Sequence, residues 1–322
     1  MGRAKILITQ EVFGEVIDYL REHFEVETNQ QTMPLNPAAL RARLAGKDGV
    51  LSMLTDRVDQ DLLDACAQLK AVCNVAVGYN NIDVAACSAR NIKVTNTPGV
   101  LNETTADLVW ALLLATARRL TEAEAYLRNG EWRGWQLKQL LGVDVHHATL
   151  GIIGMGRIGQ AIARRALGFE MRVLYQNRRP LSPSIEGPLR AQFTNFGDLL
   201  AQSDFVVLQV PYLRETHHLI GARELRSMKS TAILINGARG GIVDDAALIE
   251  ALQAGTIRGA GLDVYENEPR FNPGFLALQN VVLAPHIGSS SQATRLAMAM
   301  TAARNLVAAL NGQTPPNWVN PA

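Results

Sequence analysis

Leu150-Gly151-Ile152-Ile153-Gly154-Met155-Gly156-Arg157-Ile158-Gly159-Gln160-Ala161-Ile162-Ala163 carries a short apolar stretch into G-x-G-x-x-G and on into a run of helix formers. The order strand, glycine turn, helix is the context in which this spacing has a mechanism. Gly154 permits the tight turn, Gly156 lets backbone approach a pyrophosphate, and Gly159 lets the helix pack closely on the strand. The first turn of the helix then presents N–H groups to phosphate charge. The stretch predicts the opening βα unit of a dinucleotide-binding parallel sheet.

Outward from it, short runs rich in β-branched residues alternate with helical stretches, the pattern of a parallel α/β sheet. Downstream strands are expected at Arg172–Tyr175, Asp204–Val210, Thr231–Asn236, Gly259–Val264 and Asn280–Ala284, after Thr149–Ile153. Upstream they are expected at Lys5–Thr9, Gly49–Leu54, Lys70–Asn74 and Lys93–Asn96, separated by amphipathic Val12–Phe24, Pro37–Leu44 and Gln60–Ala67. A long apolar helix from Glu103, through Leu108–Ala115, connects the two series. The last helical stretch, Ser291–Leu310, is expected to pack back on the first. The fold class is therefore α/β with two doubly wound parallel-sheet domains. A Rossmann NAD(P)-binding domain, 101–288, is inserted into a flavodoxin-like substrate (catalytic) domain made of 1–100 and 289–322.

A chain of 322 residues is long for one core and suits two domains. Its 48% hydrophobic and 19% charged content is that of a globular protein, and a net charge of +1 gives no basic field for nucleic acid or a membrane surface. No apolar run approaches the roughly 18 residues of a spanning helix. The start, Met1-Gly2-Arg3-Ala4-Lys5 followed by Ile6-Leu7-Ile8, lacks an apolar signal core, so a cytoplasmic location is expected. Cys66, Cys73 and Cys87 fit no common zinc spacing and read as buried thiols; no metal is expected.

The strand Val173-Leu174-Tyr175 ends in Gln176-Asn177-Arg178-Arg179, where an NAD enzyme usually presents a carboxylate to the ribose hydroxyls. Asn177 stands there instead, 18 residues past Gly159, and Arg178 and Arg179 suit a 2′-phosphate. NADPH is the expected cofactor, with NADH possible; solvated surface arginines are the alternative reading.

Three further segments place polar residues just past strand ends, where open α/β sheets gather ligands. They are Asn236-Gly237-Ala238-Arg239-Gly240-Gly241, Asp263-Val264-Tyr265-Glu266-Asn267-Glu268-Pro269 and Ala284-Pro285-His286-Ile287-Gly288. Arginine can pair a substrate carboxylate and polarise the adjoining carbonyl; a histidinium can donate the proton that reduction of an oxo acid requires. A glutamate beside the histidine favours its charged form. His23, His146, His147, His217 and His218 lack this context and read as surface or structural residues.

These segments, in this order and over nearly the whole chain, resemble the D-isomer-specific 2-hydroxyacid dehydrogenases. The resemblance implies Arg239, Glu268 and His286 as the catalytic set and Asp263 as a nicotinamide neighbour. It implies Thr104 in Glu103-Thr104-Thr105-Ala106-Asp107, the loop residues Met155, Arg157 and Ile158 with the three glycines, and Val210, Pro211, Thr216, Ala238 and Gly288 as further cofactor contacts. Asn74-Val75-Ala76-Val77-Gly78-Tyr79-Asn80-Asn81-Ile82-Asp83 resembles the family's substrate loop, which implies that backbone N–H groups of Val77 and Gly78 bind the substrate carboxylate. A small-molecule 2-oxo acid substrate, a D-hydroxy acid product and a homodimer are implied with it, Ala106–Ala117, Trp132 and Trp135 being candidates for the subunit contact.

Within the family, Tyr175-Gln176-Asn177-Arg178-Arg179 is most similar to NADPH-using glyoxylate/hydroxypyruvate reductases, some of which also reduce 2-ketogluconate. Leu54–Val58, Gly130–Trp135 and Arg295 are similar to phosphite (phosphonate) dehydrogenases, although Val77 stands where that branch has lysine. A non-catalytic alternative is a dinucleotide-sensing corepressor or scaffold on the same fold.

Overall fold

The computed structural model describes residues 2–321. The chain divides into two compact units, Met1–Leu101 with Ser290–Ala322, and Asn102–Ser289.

The first unit holds five strands: β1 (Lys5–Ile8), β2 (Glu25–Thr28), β3 (Gly49–Ser52), β4 (Ala71–Asn74) and β5 (Lys93–Thr95). All pair in parallel in the order β2-β1-β3-β4-β5, the doubly wound order of flavodoxin-like sheets. Alternate side chains go to opposite faces. Leu7, Val50 and Val72 pack on one face with Leu40, Leu62 and Leu63, while Ile6, Ile8, Leu51 and Cys73 pack on the other. The helix Gln292–Leu310, capped by Ser291, closes this second face with Ala299, Ala302, Ala303 and Leu306. Small residues let it lie close to the sheet. A Cβ on Gly49 would fall 2.8 Å from Leu306 Cδ1, which is why β3 begins with glycine.

The second unit holds β6 (Thr149–Ile153), β7 (Arg172–Gln176), β8 (Ala191–Phe193), β9 (Phe205–Leu208), β10 (Ile233–Asn236), β11 (Gly259–Leu262) and β12 (Val281–Leu283). Their order is β12-β11-β10-β9-β6-β7-β8, again all parallel. From β6 the chain winds through β7 and β8 to one edge, then returns to β9 on the other side of β6, so the winding reverses between β6 and β9. Ligands bind outside the carboxyl ends of the strands at such a switch point.

Two strands were not expected, β2 and β8. Both are edge strands, Glu-Val-Glu-Thr and Ala-Gln-Phe, with largely solvated side chains and no apolar run to mark them. Several expected strands end a residue or two early: β9 stops at Leu208, two residues ahead of Val210 and Pro211. The apolar stretch Ala106–Ala117, a candidate subunit contact by sequence, buries one side inside the unit and leaves Asp107 and Ala111 exposed. It belongs to the helix Asn102–Ala117, and Ala106, Val109, Trp110, Leu112, Leu113 and Ala117 are buried against the sheet and the helix Arg157–Ala166. Trp110 Nε1 donates to the Ile162 carbonyl at 3.1 Å. Trp132 and Trp135 stay exposed, at 50% and 79%. All three cysteines are free and buried, and burial pushes the Cys73 thiol up to about 12. Among the described residues no helix is long and apolar enough to cross a membrane.

Candidate active site

The glycine turn follows β6 at the switch point. Gly154 has φ +102°, and a Cβ there would lie 2.5 Å from the Gln209 carbonyl, so no other residue fits without displacing the end of β9. Gly159 is held equally tightly, 2.4 Å from the Gly154 carbonyl. Gly156 differs: nothing lies within 4 Å of its Cβ position, and it is the N-cap of Arg157–Ala166 with no side chain capping that helix. Uncapped first-turn N–H groups beside open space form a cradle for an anion, to which the helix end contributes roughly half a positive charge. The residues present fit the pyrophosphate of a pyridine dinucleotide.

Asn177 Oδ1 accepts a hydrogen bond from Met155 N at 2.7 Å, tying the end of β7 to the turn and leaving its amide Nδ2 as a donor. Arg178 and Arg179 follow, both exposed, and neither forms an ion pair among the described residues. Val210 and Pro211 leave the end of β9. Thr216 closes the loop behind them, donating to the Pro211 carbonyl at 2.8 Å and accepting from Leu213 N at 2.8 Å.

Arg239, Glu268 and His286 come from the loops after β10, β11 and β12, three neighbouring strands. Asn236, buried at the end of β10, folds the first loop: its Oδ1 accepts from Ala238 N at 3.1 Å and its Nδ2 donates to the Arg239 carbonyl at 3.1 Å. Ala238 is buried, and Arg239 donates from Nη1 to its carbonyl at 2.7 Å. The remaining guanidinium nitrogens have no hydrogen-bond acceptor among the described residues. Burial lowers the Arg239 pKa from its ordinary value, against the charges of Glu268 and Asp263, which raise it. A half-buried guanidinium with free donors facing two carboxylates is poised for an incoming anion. The second loop passes the first so closely that a Cβ on Gly240 would overlap the Tyr265 carbonyl at 1.7 Å.

Glu268 Oε1 accepts from Tyr265 N at 2.8 Å, and its Oε2 lies 2.7 Å from His286 Nδ1. That contact fixes the imidazole and leaves Nε2 without a partner among the described residues. His286 adopts φ +53°, a conformation that costs a non-glycine residue about 1 kcal/mol or more. The buried Asp263 holds it there. Its carbonyl accepts from His286 N at 2.9 Å, and its carboxylate accepts from Ile287 N at 2.7 Å and Gly288 N at 2.8 Å. Burial raises the Asp263 pKa, while those two N–H groups and the His286 charge oppose the shift. Thr104 sits half-buried on the first turn of Asn102–Ala117; beside it, Thr105 comes within 3.5 Å of the Cβ position of Gly288.

In the first unit, the loop after β4 presents Val77 and Gly78. Their carbonyls are taken, Val77 O by Asn96 Nδ2 at 2.8 Å and Gly78 O by Asn74 Nδ2 at 2.9 Å, and Ala76 O accepts from Thr97 N at 2.9 Å. The N–H groups of Val77 and Gly78 have no protein partner among the described residues. Asn81 ties the same loop to Met53 O and Asp56 O.

Asn236, Asn74, Asn96 and Asn81 carry no sequence mark of their role. Each acts on a backbone carbonyl or N–H of a loop, which no residue-type pattern shows. The signal that was available is a polar residue ending an apolar strand, as Asn74 and Asn236 do.

A Rossmann-type sheet, an uncapped glycine-rich helix start and an Arg–Glu–His set on adjoining strand ends define a nucleotide-dependent oxidoreductase. Residues 110–288 match the NAD-binding domain of the D-isomer specific 2-hydroxyacid dehydrogenases. The chain belongs to that family and is an NAD(P)-dependent oxidoreductase. It is 50% identical over 322 residues to the glyoxylate reductase of Thermococcus gammatolerans, covering 99% of this chain and 96% of that protein. Among solved structures it is similar to a glyoxylate reductase from Paecilomyes thermophila, with TM-score 0.88, 32% identity and 99% of each chain covered. It is similar also to the NADPH-dependent glyoxylate/hydroxypyruvate reductase of Sinorhizobium meliloti in complex with NADP and malonate, with TM-score 0.87, 35% identity, and 99% of this chain and 97% of that one covered.

Proposed function

We propose that the chain reduces small 2-oxo acids, glyoxylate and hydroxypyruvate foremost, to D-2-hydroxy acids, with NADPH preferred over NADH. The observation that carries this reading is the Arg239, Glu268 and His286 arrangement, with the 2.7 Å His286–Glu268 contact leaving Nε2 as a free proton donor.

When bound, the nicotinamide cofactor supplies the hydride equivalent. Gly154, Met155, Gly156, Arg157, Ile158 and Gly159 hold its pyrophosphate, and Asn177, Arg178 and Arg179 take the 2′-phosphate. Val210, Pro211, Thr216, Ala238, Asp263, Gly288 and Thr104 line the rest of its course. In the one domain the N–H groups of Val77 and Gly78 are the receptors for a substrate carboxylate, and in the other Arg239 pairs with an anionic substrate and polarises its carbonyl. His286 Nε2 gives the proton to the carbonyl oxygen; the Glu268 carboxylate stabilises the imidazolium before transfer and fixes the tautomer after it. The domain inserted at 101–288 serves the nucleotide, and the domain of 1–100 and 289–322 serves the substrate.

The proposed assembly is a homodimer through the segment after Asn102–Ala117, where Leu127, Trp132, Trp135, Leu137 and Leu141 are all more than a third exposed. Similarity to the Sinorhizobium meliloti enzyme and the two unpaired arginines support NADPH, and similarity to the Thermococcus gammatolerans enzyme supports glyoxylate. Rates with NADPH and NADH against glyoxylate, hydroxypyruvate, pyruvate and 2-ketogluconate, with phosphite oxidation run in reverse, test the reading. Fastest turnover with NADPH and a two- or three-carbon oxo acid is expected. Phosphite oxidation, or nucleotide binding with no turnover, would replace it.

A further inference from the structure

His217 and His218 end the loop that leaves β9, and their rings stack with centroids 3.9 Å apart. His218 adopts φ +49°, held by its N–H donating to the Gly241 carbonyl at 2.8 Å. The turn aims its Nε2 at Glu266 Oε1, 2.7 Å away, while its Nδ1 faces Asp244 Oδ2 at 3.8 Å. His217 is exposed, and its Nδ1 meets the Tyr212 hydroxyl at 3.2 Å, which leaves Nε2 without a partner. One potential ligand atom from each of His217, His218 and Glu266 lies within 4.8 Å of the others.

Two imidazoles and a carboxylate are the donor set that late first-row divalent ions take, with one position open to water. Metal-binding histidines ordinarily offer their second nitrogen to a carboxylate or another polar acceptor. His217 Nδ1 has such a partner in the Tyr212 hydroxyl at 3.2 Å, and Asp244 Oδ2, 3.8 Å from His218 Nδ1, becomes one on a small side-chain shift. Negative charge is concentrated here as well, because Asp245 Oδ2 accepts from Glu266 N at 3.1 Å beside Asp244. An ion at roughly 2.0–2.1 Å from each donor needs donors closer than 4.8 Å. His217 is exposed and can swing in without disturbing the core.

We propose that His217, His218 and Glu266 bind a divalent transition ion of the zinc type, one per chain, at a place separate from the Arg239, Glu268 and His286 arrangement. The three ligands come from two loops, and His218 touches the backbone of a third, so the ion clamps the segments that follow β9, β10 and β11. Binding deprotonates whichever ring nitrogen ligates and moves the ring proton of His218 to Nδ1, toward Asp244, so protons are released when His218 enters protonated.

Isothermal titration of the tag-free chain with zinc chloride tests this, using wild type, His217→Ala, Glu266→Gln, His286→Ala and His146→Ala. One ion per chain is expected in wild type, His286→Ala and His146→Ala, with affinity at least about 10-fold weaker in His217→Ala and Glu266→Gln. At zinc about 100 times its Kd, the Tm of wild type should rise by about 5 °C, and that of His217→Ala should not. His217 is exposed, so its alanine variant should fold as wild type does without zinc. No zinc binding, or binding that His217→Ala leaves unchanged, overturns the proposal; loss in His286→Ala alone transfers the ion to the His286–Glu268 pair and overturns it equally.

Discussion

Arg178 and Arg179 stand exposed just past the end of β7, and among the described residues no carboxylate pairs with either. If they receive a 2′-phosphate, replacing both with glutamine should weaken NADPH by about 10- to 100-fold and leave NADH within about threefold. Fluorescence titration with the two nucleotides measures this, and equal weakening of both would return the arginines to solvent. Asp245 makes a different prediction. Its carboxyl is pushed up to about 6 from 3.8, first by burial and then by the Glu266 and Asp244 charges, against the Glu266 N–H that lowers it. The folded state thus holds this proton more tightly than the unfolded chain does, so stability falls as pH rises from about 4 to about 6 and stays reduced above that. Asp245→Asn keeps an acceptor for Glu266 N and should raise stability above pH 7 by up to about 3 kcal/mol, with little change at pH 4. Melting curves across that range decide it; a gain at pH 4 as large as at pH 8 would show that charge is not the cause. At this scale Arg239, Glu268, His286 and the glycines were legible because their chemistry names them. Asn74 and Asn236 were not, because what they do is visible only once a loop has a shape.

Among the elements, the loops after β10, β11 and β12 carry the proposed chemistry, and two of them are held by a buried residue at or just past a strand end, Asn236 for the first and Asp263 for the third. Asn236 is the clearest. Removing its side chain leaves Ala238 N–H and the Arg239 carbonyl without partners, at about 1–3 kcal/mol for a buried group left unmade. Asn236→Ala should therefore lower kcat with the oxo acid about 10-fold or more, while NADPH affinity changes by less than about threefold. Steady-state kinetics beside nucleotide titration separates the two, and a fall in NADPH affinity that matches the fall in kcat would mean the loop does not act through Arg239. The parallel strands were legible as apolar β-branched runs because both faces are buried. Edge strands β2 and β8 escaped, since Glu25, Glu27 and Gln192 look like loop residues when only one side of a strand is paired. The helix Asn102–Ala117 was found for its apolarity, but its partner was not: Val109 lies 2.6 Å from the Cβ position of Gly237, and Leu112 3.1 Å from that of Gly261, contacts that a one-dimensional pattern does not reveal.

For the whole molecule, the family, the two parallel sheets and the nucleotide-dependent chemistry follow from sequence order and from relatives such as one at 50% identity. Subunit assembly is read instead from what remains uncovered. For the proposed dimer, the exposed Trp135 and Leu137, at 79% and 76%, are the candidate contact. Trp135→Glu with Leu137→Glu should shift the sedimentation mass from dimer to monomer with secondary structure intact; an unchanged mass places the interface elsewhere. In the proposed reaction His286 protonates a 2-oxo acid reduced at the expense of NADPH. Its most direct test is a single turnover in stopped flow, with enzyme in excess over NADPH mixed against glyoxylate, for wild type and His286→Ala. Complete NADPH oxidation is expected in wild type and a rate at least about 10²-fold lower in the variant, with NADPH affinity nearly unchanged. Equal rates in the two proteins, or no NADPH oxidation in wild type, would contradict it.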